Sequence, residues 1–180
     1  TYYVSDGSLQ SNIATVTIDV GVPCSEGLDV SGGSGIFEVD IVIGTDLGNV
    51  GVQYDAYGIP DRFILIYDNQ VVADSKFVGD SITGTPPAYS GLLGSHTLDV
   101  LSYDGSVFVN TVAQSDIADG ITEPLDGNGF LSFNKTTASP TVMQLRVIAP
   151  VGDTGWEFRG VCPTQTPIAN EDRVTNNEDG

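Results

Sequence analysis

Residues 54–76, "YDAYGIPDRFILIYDNQVVADSK", contain two short apolar runs and a turn signal between them. Residues 62–67 are a short apolar run, and residues 70–74 form a second one after the pair Asp-Asn. Two such runs separated by two residues that tolerate positive φ predict a β-hairpin. A Gly-Ile-Pro turn precedes the hairpin, and Asp61 and Arg62 follow that turn at once. These two residues are either ordinary turn residues or the rim of a site.

The same kind of pattern recurs along the middle of the chain. Each predicted strand alternates apolar and polar residues or is a short apolar run, and each is bounded by Gly, Asp, Asn or Pro. No segment has a useful length of helical apolar periodicity, and 22 Gly and 9 Pro suit a β-rich chain. We therefore predict an all-β protein, an antiparallel β-sandwich or jelly roll with a long insertion at one end. The predicted strands are 35–43, 50–54, 62–67, 70–74, 97–101, 106–112, 129–133, 141–149 and 156–161.

The charge balance excludes one class of partner. The chain has 24 acidic and 6 basic residues, for a net charge of −18. Phosphate backbones would be repelled, so nucleic acid is not an expected partner. The acids either form a solubilising surface or include calcium ligands, because hard cations take oxygen donors. No apolar run is long enough for a transmembrane helix, so membrane insertion is not expected.

Two cysteines, Cys24 and Cys162, bracket the middle section. In a β-rich unit such a pair suggests one disulfide and an oxidising, extracellular compartment, while two free thiols remain the alternative. A zinc site is implausible, because His96 is the only histidine and there is no C-x-x-C.

The two ends of the chain have a different pattern from the middle. Residues 1–20 read as a two-strand hairpin and resemble the end of a bacterial cadherin-like or immunoglobulin-like repeat. Residues 166–180 resemble the opening of the next such repeat. We therefore expect a main domain over residues 21–165, cut from a longer tandem array.

Acidic loops are predicted to converge at one end of the main domain. If consecutive strands run antiparallel, alternate loops share an end, and Asp68 then lies at the opposite end from the acidic group. The segment 82–125 leaves from the acidic end and returns to it, so we interpret it as an elaborated wall above that end. One Ca²⁺ takes six to eight oxygen ligands, whereas the alternative is that these residues are ordinary turn formers. The candidate calcium ligands are Asp55, Asp61, Gly79, Asp80, Ser81, Asp126 and Asn128.

Four further residues are candidates for contact with a ligand. Arg62 can bind a carboxylate through two hydrogen bonds, or it can form a structural salt bridge with the adjacent Asp61. Tyr89 and Tyr103 on the insertion can pack against a ligand side chain, although core filling is the alternative. Asp104 lies in the turn of the insertion's own hairpin.

Three stretches together resemble a known family: residues 54–81 ("YDAYGIPDRFILIYDNQVVADSKFVGDS"), residues 127–150 ("GNGFLSFNK…PTVMQLRVIAP") and residues 152–163 ("GDTGWEFRGVCP"). With the cadherin-like flanks, the set is similar to the calcium-dependent peptide-binding domain of giant bacterial RTX adhesins, of the ice-binding adhesin type. The resemblance covers residues 21–165, and the insertion matches only loosely.

The resemblance implies an extracellular, cell-surface module near the tip of a long adhesin. Such domains bind the C-terminal end of partner proteins, with Ca²⁺ in contact with the terminal carboxylate, and so attach the cell to a host or to neighbouring cells. Of the candidate ligands, Asp61 and Asp80 match the family's motif.

Other function classes have less support in the sequence. An enzyme is not expected, because there is no G-x-S-x-G, no H-E-x-x-H and no second histidine. A calcium-dependent carbohydrate-binding module is the main alternative. A purely structural spacer is a third possibility, but a spacer has no reason to keep a long insertion.

Overall fold

The structure is a computed structural model. It describes residues 21–79, 95–117, 127–150 and 152–163. The flanking segments predicted to belong to neighbouring repeats, 1–20 and 166–180, lie outside these residues.

All regular structure in the described residues is strand, arranged as two sheets, which confirms the predicted β-sandwich. A seven-stranded sheet has the order β6-β5-β10-β3-β7-β8, with β1 also paired to β3, and a four-stranded sheet has the order β2-β11-β4-β9. The strands are β1 Val22–Pro23, β2 Gly27–Gly32, β3 Gly35–Val42, β4 Gly48–Asp55, β5 Asp61–Tyr67, β6 Gln70–Val78, β7 Ser95–Tyr103, β8 Phe108–Ile117, β9 Asn128–Lys135, β10 Val142–Ala149 and β11 Thr154–Val161.

The hairpin predicted for residues 62–74 is confirmed as β5–β6. Tyr67 pairs with Gln70, and Asp68 and Asn69 between them both have positive φ, 51° and 59°. Two positive φ values are the signature of a type I′ turn, whose twist matches that of the flanking strands.

The connection before this hairpin differs from a simple turn between paired strands. β4 lies in the small sheet and β5 in the large one, so residues 56–60 cross from one sheet to the other at one end of the sandwich. Ala56 and Pro60 of this crossover are buried. The end predicted for this loop is therefore one at which the chain passes from the small sheet to the large one.

The described part of the insertion, residues 95–117, is a hairpin that extends the large sheet and does not form a separate wall. β7 pairs with β3 in parallel, with Ile36 opposite Val100. The reason is apolar burial, because Leu98 and Val100 are buried in one cluster with Ile36, Ile64, Phe77 and Ile148. Residues 95–99 of β7 come before the segment that pairs with β3. The end of the β7–β8 hairpin opposite its turn therefore extends past the end of the sandwich that holds the crossover.

The main core lies between the sheets and is centred on Trp156, which has no exposed surface. Its ring contacts Phe37 and Phe108 of the large sheet, at centroid distances of 5.3 and 6.2 Å. Tyr54 of β4 stacks on Phe63 of β5 at 4.5 Å. Aromatic pairs across the sheet interface add to the burial of apolar area in holding the two layers together.

The disulfide predicted between Cys24 and Cys162 is present, with 5.8 Å between the two Cα atoms. It links the segment before β2 to the residue after β11, and these two strands are paired. The covalent link therefore closes the domain beside an existing strand pair.

We expect the double substitution Cys24→Ser and Cys162→Ser to lower the free energy of unfolding by about 5 kcal/mol. The value follows from the chain-entropy model for a cross-link across 138 residues. Urea unfolding of the two proteins measures the difference, and an unchanged transition midpoint would contradict the expectation.

Candidate functional site

The most unusual side chain at the crossover end is Asp61. It is the first residue of β5 and alternates with Phe63, so it faces inward between the sheets, and it is 0% exposed. Its Oδ2 accepts a hydrogen bond of 2.8 Å from Thr154 Oγ1 of β11. The pair connects the large sheet to the small sheet at the edge of the apolar core.

The second carboxylate oxygen of Asp61, Oδ1, is buried and has no hydrogen-bond partner within the described part of the chain. Burial raises the pKa of Asp61 from 3.8 to about 8, against the opposing effect of the Thr154 hydrogen bond. A buried anionic oxygen without a partner is strongly unfavourable. In the absence of a cation, Asp61 therefore carries a proton at neutral pH.

Asp61 lies beside the "VGDS" motif. It pairs with Val78 at the end of β6, and Gly79 then packs against the crossover, where a Cβ at this position would lie 3.0 Å from the Pro60 nitrogen. Only glycine allows so close an approach without a shift. Two of the predicted ligand positions, Asp61 and Gly79, are thus brought together, while Asp80 and Ser81, which follow directly, lie outside the described residues, as does Asp126.

The other two candidate ligands, Asp55 and Asn128, are brought together in a different place. They are cross-strand partners at the ends of β4 and β9, and both line a cleft on the outer face of the small sheet that Asp61 does not line. Asp55 Oδ1 accepts a 2.7 Å hydrogen bond from the Tyr57 backbone N–H. The two aspartates lie on opposite sides of the crossover and point to different faces. Side chains alternate along each strand, and this places Asp55 of β4 on the outer face and Asp61 of β5 on the inner face.

The outer cleft contains three acids that were not among the predicted ligands, Glu26, Asp29 and Glu157. Glu157 pairs with Asp55 on one side and with Asp29 on the other, so three carboxylates and Asn128 form one row across four strands. The cleft has a volume of about 700 Å³. The sequence indicates that Glu157 faces outward, because it lies between the apolar residues Trp156 and Phe158 on a predicted strand. It gives no such indication for Asp29, which lies on a strand that was not predicted.

Tyr57 lies to one side of this row, next to its two middle members, Glu157 and Asp55. Its hydroxyl donates a 3.0 Å hydrogen bond to Glu157 Oε2, and its ring lies over Gly155, where a Cβ would be 3.3 Å from the ring. Partial desolvation and the nearby carboxylates of Glu157, Asp29 and Asp55 raise the pKa of Tyr57 to about 12. The phenol therefore stays protonated and remains a donor.

Arg62 forms the predicted structural salt bridge, but its partner is Asp74 and not Asp61. The guanidinium makes two hydrogen bonds to the Asp74 carboxylate, 3.0 Å from Nε and 2.7 Å from Nη2. Arg62 also lies over the Phe77 ring, while Asp61 points to the other face of the sheet. These hydrogen bonds, with those from Lys76, hold the pKa of Asp74 well below its usual range despite partial burial.

The other candidates for ligand contact have structural roles where they are described. Tyr103 is partly buried against the core and contacts the Phe108 ring at 5.3 Å. Asp104 is exposed, and its Oδ1 accepts hydrogen bonds from the backbone N–H groups of Ser106 and Val107, which closes the β7–β8 turn. Tyr89 lies outside the described residues.

Asp61 meets one requirement of a cation site, because a buried, unpartnered carboxylate oxygen suits a hard cation. Within the described ranges, no group of three or more His, Cys, Asp or Glu residues is arranged to hold a metal ion. The remaining oxygen donors would have to come from backbone carbonyls, water and the residues after Gly79.

No protein-family model, no curated protein and no solved structure matches this chain. Among the described residues there is also no helix of sufficient length and apolar character to span a bilayer. The chemistry of the two acidic sites therefore provides the basis for assigning a function.

We expect the stability of the metal-free protein to fall as pH rises from about 4 to about 8. The folded pKa of Asp61, about 8, lies above its ordinary value of 3.8, so in this range the native state holds a proton that the unfolded state has lost. Above pH 8 this contribution is constant.

The isosteric variant Asp61→Asn removes this titration, so its stability in EDTA should depend less on pH. Chemical unfolding between pH 4 and pH 9 measures both proteins, with Asp68→Asn as the matched control at the other end of β5. Equal pH slopes for Asp61→Asn and the unmodified chain would contradict the expectation.

Proposed function

We propose that this chain is a ligand-binding module of a secreted bacterial RTX adhesin that binds the C-terminal end of partner proteins through Ca²⁺. The module is extracellular and anchored to the cell surface as part of a long fibre, and it attaches the cell to a host or to neighbouring cells. The family resemblance supplies this class of ligand.

The observation that supports the proposal most directly is the buried Asp61 with its unpartnered Oδ1. An aspartate in an apolar layer destabilises the fold as an anion unless a proton or a cation neutralises it. It lies where the "IPDRF" and "VGDS" motifs meet, and both motifs belong to the resemblance.

Asp61 would hold the Ca²⁺ together with Asp80, Ser81 and a backbone carbonyl near Gly79. When bound, Ca²⁺ supplies a local positive centre in a chain of net charge −18, which reverses the sign of the field that a ligand carboxylate meets. The chain itself orients Asp61 through the Thr154 hydrogen bond. The Arg62 guanidinium binds Asp74 and lies on the opposite face of the sheet from Asp61.

Removal of Ca²⁺ should lower the melting temperature. A ligand that binds only the folded state at 100 times its Kd contributes about 2.7 kcal/mol, which for a domain of this size corresponds to roughly 5–10 °C. Calorimetry with Ca²⁺ and with EDTA measures the change, and Mg²⁺ at the same concentration controls for ionic strength. An identical melting temperature in all three conditions would contradict a calcium site and would indicate that the acids form a solubilising surface.

Peptides with a free C-terminal carboxylate should bind, and the same peptides with an amidated C-terminus should bind much more weakly. The test uses a library immobilised through the N-terminus and probed with and without Ca²⁺. Amidation removes the charge that would contact the ion, so a loss of about tenfold or more is expected for one charge-assisted contact.

Asp61→Asn and Asp80→Ala should weaken the binding of free-acid peptides by a similar factor. Asp68→Asn, at the opposite end, should leave this binding unchanged. Asparagine keeps the shape of the Asp61 side chain and removes its charge. Equal binding of free-acid and amidated peptides would exclude this mode of recognition.

The alternative, a calcium-dependent carbohydrate-binding module, has one observation in its favour. The outer cleft combines carboxylate and amide side chains with exposed aromatic rings nearby, which is the kind of surface that sugars use. Sugar binding that disappears in EDTA, together with indifference to free-acid peptides, would favour this alternative.

A further inference from the structure

A second binding surface lies apart from Asp61, on the outer face of the small sheet. We propose that the cleft over this sheet binds a neutral oligosaccharide and that it does so without Ca²⁺. This proposal is independent of the peptide-binding function proposed for the crossover end.

The size and the hydrogen-bonding groups of the cleft suit a hydroxyl-rich ligand. Its volume of about 700 Å³ falls within the range of about 300–1,000 Å³ for small-ligand sites. Outward side chains on neighbouring strands are about 4.8 Å apart, so the row from Asp29 to Asn128 places acceptors and an amide at regular short intervals. Gln53 adds a second amide beside Asp55, and each amide can both donate and accept.

Two exposed aromatic rings lie on opposite sides of the acidic row. Phe130 is the cross-strand partner of Gln53 and is 46% exposed. Tyr57 lies at the other side of the row, over Gly155, and is 39% exposed. An exposed ring on either side of a polar row offers apolar faces to the C–H faces of sugar rings, while the row binds their hydroxyl groups.

Two groups at the cleft are held by hydrogen bonds within the protein. The Tyr57 hydroxyl is fixed by Glu157, and the Arg159 Nε donates a 3.1 Å hydrogen bond to the Ser25 carbonyl at the cleft wall. Groups held in place before binding lose less conformational entropy when the ligand arrives.

The charges of the lining decide which oligosaccharides fit. The cleft is lined by the carboxylates of Glu26, Asp29, Asp55 and Glu157 and by one guanidinium, that of Arg159. This excess of negative charge disfavours sialylated, sulfated and uronic-acid glycans. A lysine-rich peptide is the competing occupant on charge alone, but the exposed rings of Tyr57 and Phe130 beside the row favour a sugar.

The test is a printed array of neutral oligosaccharides built from glucose, galactose, mannose or fucose, with sialylated and sulfated counterparts and a set of lysine-rich peptides. The intact chain is applied in Ca²⁺ and in EDTA. We expect binding to one or more neutral oligosaccharides in both conditions and none to the acidic glycans. The affinity for the best neutral oligosaccharide is then measured by calorimetry.

Two exposed positions allow the site to be changed with little effect on folding. Asp29→Ala and Phe130→Ala should each weaken the measured affinity about tenfold, as expected for one charge-assisted hydrogen bond or one ring contact with its buried area. The matched controls on the large sheet, Asp99→Ala and Val112→Ala, remove an exposed carboxylate and an exposed apolar side chain, and they should leave the affinity unchanged. Thermal unfolding confirms that all four variants are folded.

The outcomes separate this site from the crossover site. Neutral-glycan binding that survives EDTA and Asp61→Asn but is weakened by Asp29→Ala supports the cleft, whatever the peptide arrays show. The proposal is overturned if no neutral oligosaccharide binds, if binding requires Ca²⁺, if Asp29→Ala and Phe130→Ala bind as well as their controls, or if only the lysine-rich peptides bind.

Discussion

A carboxylate, that of Asp61, is buried between the two sheets at the edge of the aromatic core. Asp61 begins the strand that carries Phe63 into the core, and Thr154 begins the strand that carries Trp156 into it. Their hydrogen bond therefore lies directly beside the aromatic packing that joins the sheets. Because only one oxygen of Asp61 is satisfied by Thr154, the anion is tolerated there only when a proton or a cation neutralises it. The same side chain thus makes the stability of the inter-sheet joint depend on how its charge is neutralised.

The crossover at residues 56–60 explains why one end of the molecule carries two separate acidic sites. In a strand, successive side chains point to opposite faces of the sheet, and the crossover changes both the sheet and the face. Asp55, before it, points outward beside Glu157, whereas Asp61, after it, points inward. The rule that alternate loops share an end correctly placed the two aspartates at the ends of strands joined by one loop. It carried no information on which layer each strand would join.

Local patterns in the sequence were enough to predict nine of the eleven strands in the described residues, the β5–β6 hairpin and the disulfide. They did not predict sheet membership or the acidic row, because these depend on pairings between distant residues, such as Asp29 with Glu157. Strand β2, "GLDVSG", was missed because Gly, Asp and Ser have low intrinsic preference for strands. The partner of Arg62 was misassigned for a related reason. The hairpin places Asp74 across from this part of β5, whereas Asp61 points to the other face of the sheet because side chains alternate along the strand.

The disulfide supports the pairing of strand β2, whose residues have low preference for a strand. An edge strand of low propensity gains little from its own residues, and β2 depends on its pairing with β11. Cys24 precedes β2 and Cys162 follows β11, so the covalent link closes this pair at the end where Gly27 faces Arg159. Asp29 comes two positions further along the paired segment, opposite Glu157. The cleft on the outer face is therefore built on a strand pair that a covalent bond holds in register, while the crossover site is built on the non-covalent contact between the sheets.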